Sequence, residues 1–270
     1  MSRVAGVRYG VISDVHGNLH ALEAVLEALG RSGVDRFICA GDTVGYGPFP
    51  NECVRLVAGL PGLVVAGNHD LMAIERLPTT GVTETVRETQ KWTRSALAPD
   101  ARRTLEQLPL VAEAHAIVVT HAALGSMTEY VRTDEQAMGQ LAALRAGWPG
   151  AELLVLGHTH RQLLVAERRG ALPIAATPLA TADRYLVNPG SVGQSRQFEL
   201  APRARYAVLD VARRNVEFHA ISYDRGAARR ALRERNLPLN AIYLRPALRP
   251  AARRSISALV ARAARWTDQR

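Results

Sequence analysis

Eight side chains of this sequence have the chemistry to bind metal ions or move protons, and they cluster where apolar runs end: Asp14, His16, Asp42, Asn68, His69, His121, His158 and His160. Leaving His69 aside, they offer carboxylate, imidazole and amide donors without a thiol. That set suits Mn²⁺, Fe²⁺ or Zn²⁺, with Co and Ni as further options, and not Cu(I) or an iron–sulfur cluster. Seven ligands exceed what one ion takes. They suit two ions roughly 3.5–4 Å apart, an arrangement that needs a bridging carboxylate and usually a bridging water or hydroxide. Asp42 is the candidate for its centre. Such a pair makes hydroxide available near neutral pH and holds phosphoryl oxygens during an in-line displacement. The leaving alkoxide then needs a proton or a positive partner, which His69 can supply, with Asp70 or another nearby acid to orient it.

The runs that present these residues read as buried strands: 9–13 before Asp14, 36–40 before Asp42, 62–66 before Asn68, 116–120 before His121 and 152–156 before His158. In an open α/β sheet ligands collect outside the carboxyl ends of the strands, so five such endings can converge on one spot. Between them the pattern predicts helices. One follows the cap residue Asn18, with Leu22, Val25, Leu26 and Leu29 on its apolar face, and another starts at Pro50 or Asn51. Residues 83–108 read as helical, interrupted at Pro99, and form a cap or layer near the site; 133–147 is a further helix. The β-α-β-α-β opening predicts a mostly parallel core with right-handed crossovers.

Past residue 160 the spacing shortens to strand-turn-strand at 162–167, 172–175, 184–187, 206–211 and 216–221, which predicts mixed or antiparallel pairing. A basic helix is expected at 225–235. The chain therefore divides into one domain over 1–244 and a basic linker with an amphipathic helix over 245–270, the latter carrying Ile256, Leu259, Val260, Ala263 and Trp266 on one face.

The 270 residues suffice for a full core, and the formal charge of +9 is uneven. Residues 1–202 hold 18 basic and 20 acidic side chains, against 16 and 5 in 203–270, so the basic character belongs to the tail. Lys91 is the only lysine; either coding bias in a GC-rich genome or a basic patch accounts for the arginines. The tail helix reads first as a solvated helix docked by its apolar face; an oligomer contact and a nucleic-acid contact are the alternatives, the latter not favoured because no RNA-binding motif accompanies it. Cys39 and Cys53 form neither a CxxC pair nor a disulfide scaffold. No apolar leader and no long apolar window occur, so a soluble, cytoplasmic protein without a membrane partner is expected. His20, His115 and His219 read as core or surface residues.

Taken in order, Asp-x-His, Gly-Asp, Gly-Asn-His-Asp, a lone His and Gly-His-x-His resemble the calcineurin-like metallophosphoesterases. Residues 13–23, Val44-Gly-Tyr-Gly-Pro48 and Asn188-Pro-Gly-Ser-Val-Gly193 resemble in particular the small bacterial phosphodiesterase-type branch. The resemblance implies a four-layer α/β/β/α sandwich of two mixed β-sheets flanked by helices. It implies one metal held by Asp14, His16, Asp42 and His160, and another by Asp42, Asn68, His121 and His158, with Asp42 bridging and His69 facing the scissile phosphate. Phosphoprotein phosphatases of the family carry an Asp-Arg where this chain has Gly45-Tyr46, so a small, nucleotide-like phosphodiester is the expected substrate, a cyclic nucleotide or a dinucleoside polyphosphate. A nuclease, a phosphomonoester or phosphoprotein phosphatase, and a non-catalytic scaffold of the same fold are the alternatives. Asn68, Arg196 and Tyr46 are candidate substrate contacts; Tyr46 either stacks on a base or packs.

Overall fold

The computed structural model describes residues 6–242 apart from 198 and 200. The linker and helix expected over 245–270 lie outside the described residues. The chain opens with β1 (Arg8–Ile12), α1 (Leu19–Arg31), β2 (Arg36–Cys39), α2 (Pro50–Ala58) and β3 (Gly62–Val64). Three helices follow, α3 (Asn68–Ala73), α4 (Glu84–Ala96) and α5 (Pro99–Gln107). The middle of the chain forms β4 (Val111–Ala114), β5 (Ile117–Thr120), α6 (Asp134–Gly147) and β6 (Leu153–Val155). Then come β7 (Gln162–Ala166), β8 (Gly170–Ala171), β9 (Thr177–Pro178), β10 (Tyr185–Pro189), β11 (Ala204–Asp210), β12 (Asn215–Ile221) and α7 (Arg225–Glu234).

Local chemistry sets the helix starts. Asn18 accepts from the Ala21 amide at the head of α1, proline opens α2 and α5 where no N–H is needed, and Thr133 and Gln136 form a reciprocal capping box on α6.

Two six-stranded sheets result, ordered β3-β2-β1-β11-β12-β9 and β4-β5-β6-β10-β7-β8. Period-two alternation tells each strand which way to face. Tyr9 and Val11 of β1, Val119 of β5, Val155 of β6, Val187 of β10 and Leu209 of β11 meet between the sheets. Their neighbours point outward: Ile12, Tyr206 and Val208 pack against Leu22, Val25 and Leu29 of α1 and Val57 of α2, while Val118, Leu154 and Leu186 pack against Ala137, Leu141 and Leu144 of α6. The fold is thus the α/β/β/α sandwich of two mixed sheets.

Three expectations need correction. The core is not mostly parallel: in each sheet two of the five pairings are parallel, β1-β2 and β2-β3 in one, β5-β6 and β6-β10 in the other. Residues 172–175 form no strand, because Pro173 interrupts the run and only the two-residue β8 and β9 flank it. Conversely α3 and β4 form where no element was expected.

Candidate metal centre

The opening β-α-β-α-β unit delivers Asp14 and His16 after β1, Asp42 after β2 and Asn68 at the head of α3 after β3. The other sheet delivers His121 after β5, and His158 and His160 after β6. All seven are buried, and the carboxyl ends of both sheets meet around them. Aiming them requires unusual backbone: Asp14, His16, Asp42, His158 and His160 have φ of 54°, 52°, 55°, 64° and 57°. Left-handed conformations cost L-residues roughly 1–2 kcal/mol each, and they persist where the surroundings over-determine them.

Asp14, His16, Asp42 and His160 bring one donor atom each within 4.8 Å of one another, and Asp42, His121 and His158 do the same. Asn68 joins the second group, its Oδ1 lying 3.0 Å from His121 Nε2. Backbone carbonyls fix which nitrogen each ring presents, since a carbonyl can only accept. Nδ1–H of His16 donates to Val44 O (3.2 Å), of His121 to Ala40 O (2.7 Å) and of His160 to Gln194 O (2.6 Å), so these three rings turn Nε2 inward. His158 is the reverse, with Nε2–H on Thr128 O at 3.1 Å and Nδ1 left to bind.

Each carboxylate is held by one oxygen. Asp14 Oδ2 accepts from the His158 amide (3.1 Å) and Asp42 Oδ1 from the His69 amide (2.7 Å). The other oxygens, Asp14 Oδ1 and Asp42 Oδ2, are buried and face ring nitrogens, His160 Nε2 and His121 Nε2, each at 3.2 Å. Removing a carboxylate's charge from water costs several kcal/mol unless a partner compensates it. Two such atoms surrounded by inward-facing imidazole nitrogens fit divalent cations, which on binding would take the place of the ring protons. His16 Nε2 and His160 Nε2 stand only 3.1 Å apart, close enough that two lone pairs need a cation or a proton between them.

The electrostatics of these groups agree. Burial pushes the carboxyls of Asp14 and Asp42 up, but neighbouring histidines, His160 for the first and His121 for the second, outweigh it and keep both ionised. Burial pushes His121 down, yet the charges of Asp42 and Asp14 raise it to about 9. His158 is lowered to about 4 by burial and by His121, and burial with Arg196 lowers His160.

His69, the second residue of α3, lines the same cleft as the ligands. Its ring is held by Gln90 of α4, whose Nε2 lies 2.9 Å from Nδ1 and also donates to the His69 carbonyl (3.2 Å). The carbonyl contact fixes the amide's orientation, so Nδ1 accepts and Nε2 carries the proton. Asp70 is not the orienting group. Its oxygens accept from the amides of Val44 (3.0 Å) and Gly67 (2.9 Å), tying the turn after β2 to the start of α3, and burial with the nearby Asp42 raises its pKa to about 7. Tyr46 packs: it is 7% exposed, with its ring 4.6 Å from that of His69 and 4.8 Å from that of His16. Beside it Gly45, at φ +87°, leaves the space that His69 fills, since a Cβ there would fall 2.6 Å from Nδ1.

The loop after β10 supports the centre from behind. Asn188 donates to Gly157 O (2.6 Å) and Thr159 Oγ1 (3.1 Å), and Ser191 Oγ donates to Asp14 O (2.8 Å). In front, a cleft of about 550 Å³ opens over the ligands, walled by residues 80–83, Val86, Tyr130 and Arg196. Tyr130 stacks on His158 with ring centroids 4.0 Å apart, and the Arg132 guanidinium lies over the Tyr130 ring, 3.8 Å from its centroid. Gln90, Thr128 and Tyr130 carried no signal in the sequence, for none adjoins a motif.

The sandwich and its paired carboxylate–histidine clusters define a class, the metallophosphoesterases. The chain belongs to the calcineurin-like phosphoesterase superfamily, whose domain matches residues 7–214. It is 30% identical over 235 residues to an uncharacterized protein of Methanocaldococcus jannaschii, covering 84% of this chain and 93% of the other. A metallophosphoesterase from Sphaerobacter thermophilus superimposes with a TM-score of 0.76 at 34% identity, covering 88% of this chain and 97% of its own. A hypothetical protein of Pyrococcus horikoshii OT3 shares the fold, with a TM-score of 0.69 at 20% identity and coverage of 89% and 98%. Among the described residues no helix is long and apolar enough to cross a membrane.

Proposed function

We propose that this chain hydrolyses small phosphodiesters, cyclic nucleotides or dinucleoside polyphosphates, at a centre of two divalent ions, preferentially Mn²⁺. In this reading Asp14, His16, Asp42 and His160 would hold one ion and Asp42, Asn68, His121 and His158 the other, with Asp42 common to both sets. Two ions held there would supply a water of lowered pKa and neutralise phosphoryl oxygens. The observation that carries the reading is the pair of buried carboxylate oxygens that converge with the imidazoles of a four-residue and a three-residue cluster, rings whose orientation backbone carbonyls fix.

The chain's own groups do the rest. His69, kept neutral in the free protein by a pKa of about 4 that burial imposes, presents Nε2–H to a phosphoryl or leaving oxygen. An anionic phosphate beside the ring favours its protonated form, which makes it the proton donor for the leaving alkoxide. Gln90 holds that ring in place, and the cleft has the volume of a nucleotide-sized ligand site. Arg196 lines the cleft and its charge lowers the pKa of both His69 and His160, which supports a role in meeting phosphate charge. Gly45-Tyr46, in the place of an Asp-Arg, speaks against a phosphoprotein substrate.

The test compares wild-type protein with Asp42→Asn and His69→Ala, each loaded with Mn²⁺, on bis(p-nitrophenyl) phosphate. Both variants should lose activity by at least about 10²-fold, Asp42→Asn with its metal and His69→Ala without losing metal. Wild-type rates in Asp42→Asn would overturn the proposal.

A further inference from the structure

In the loop after β10, Gln194 is buried, and both its main chain and its side chain are engaged. Its amide donates to Ser191 Oγ (2.7 Å) and its carbonyl accepts from His160 Nδ1–H (2.6 Å). At the tip of the side chain, Nε2–H donates to the Ala241 carbonyl, while Oε1 accepts from a guanidinium N–H of Arg196 at 3.2 Å. A carbonyl can only accept, so Ala241 decides which way the amide lies, and the oxygen is left facing Arg196. The Ala241 carbonyl is itself fixed. The Ala241 amide closes a turn on Pro238 O (3.0 Å), and Ala241 and Ile242 belong to one apolar cluster with Leu232 of α7, Tyr46, Met72 and Val86. The loop is tied on its other side as well, where Ser195 Oγ accepts from Nε of the buried Arg205 (3.1 Å).

We propose that Gln194 is a positioning residue: it aims the Arg196 guanidinium into the cleft, using as its anchor the Ala241 carbonyl in the segment after α7. The proposal rests on the phosphoesterase reading, in which Arg196 meets phosphate charge. A long arginine side chain has many rotamers, and a buried acceptor selects few of them, so part of the ordering cost of gripping a phosphate is met before the substrate arrives. Segment 237–242 thereby takes part in substrate binding although none of its residues lines the cleft. The side chain's contribution is separable from the support of His160, which comes from the Gln194 main-chain carbonyl and survives replacement of the side chain.

The test is a double-mutant cycle on Mn²⁺-loaded protein, with wild type, Gln194→Met, Arg196→Met and the double variant, and with bound Mn²⁺ and thermal unfolding recorded for each. Met keeps the length of Gln and loses both hydrogen bonds. On bis(p-nitrophenyl) phosphate, Gln194→Met should lower kcat/KM about tenfold, chiefly through KM and at unchanged Mn²⁺ content, and the double variant should be no worse than Arg196→Met alone. Effects that multiply in the double variant would make Gln194 a structural residue independent of Arg196 and overturn the proposal. Wild-type kinetics in either single variant would also overturn it, while leaving the phosphoesterase reading intact. The same cycle is read by calorimetry with inorganic orthophosphate, where each single variant should weaken binding at least about fivefold and the double variant no more than Arg196→Met. If wild type hydrolyses nothing, the phosphoesterase reading fails, and the orthophosphate cycle still decides whether Gln194 acts through Arg196; additive effects, or no binding by wild type, overturn the proposal. Should Gln194→Met fail to fold, Gln194→Asn takes its place in both cycles with the same expected and contrary results, because its amide ends one methylene short of holding Ala241 and Arg196 together.

Discussion

Among single residues, the candidate metal ligands that the structure brings together were legible because each closes a strand with a polar side chain beside a small or polar neighbour. The group that orients His69 was not. Asp70 follows it directly in sequence, but consecutive residues on a helix do not face each other, so the Asp70 side chain turns to the amides of Val44 and Gly67. Gln90 fills the role from the middle of α4, 21 positions away, where only tertiary structure brings it to the ring. Replacing it with Ala should lower kcat on bis(p-nitrophenyl) phosphate about 10–100-fold with bound metal unchanged, the usual cost of losing such a partner. Equal loss of metal would instead place Gln90 in the support of the ligands. Tyr46 teaches the converse point. A loop aromatic beside glycines looked available for stacking on a base, yet at φ 60° its ring folds back onto His16 and His69.

Secondary elements divide by how much of their stability is local. The helices α1, α2, α5 and α6 have caps or first-turn prolines that sequence shows, and they start where those residues stand. In contrast α3 is six residues long and carries His69 and Asp70, too short and too polar for a periodic signal, and β4 (Val111–Ala114) gains its place by antiparallel pairing with β5. Where elements crowd the site, a glycine decides the fit. At the junction of β3 and α3 a Cβ on Gly67 would lie 2.1 Å from Asp42 Oδ1 and 2.3 Å from the Asp42 amide nitrogen. Gly67→Ala must therefore displace the bridging candidate. Thermal unfolding should show about 1–3 kcal/mol of lost stability, the usual range for overpacking, and the variant should retain less metal than wild type. Unaltered metal content would show that Asp42 can shift without losing its role.

At the scale of the whole molecule, the sequence showed two kinds of segment, an αβ-alternating first half and a strand-rich second half, and did not show how they combine. The second half supplies β9, β11 and β12 to one sheet and β7, β8 and β10 to the other, so both sheets are mixed and neither half is a separate layer. Sheet membership depends on which strand edges are left open, and no local pattern encodes that. The site inherits this architecture. Asp14, Asp42 and Asn68 come from one sheet and His121, His158 and His160 from the other, so bound ions would tie the two sheets together. A ligand present at about 1,000 times its Kd stabilises by about 4 kcal/mol, which for a domain of this size is on the order of 10 °C in Tm. Scanning the Mn²⁺-loaded and the chelator-stripped protein should reveal a fall of that order, in a single transition. The most direct test of the account titrates Mn²⁺ into stripped protein while bis(p-nitrophenyl) phosphate hydrolysis is followed. The account predicts no activity without metal and a plateau at two equivalents per chain; activity in the stripped protein, or a plateau at one equivalent, would contradict it.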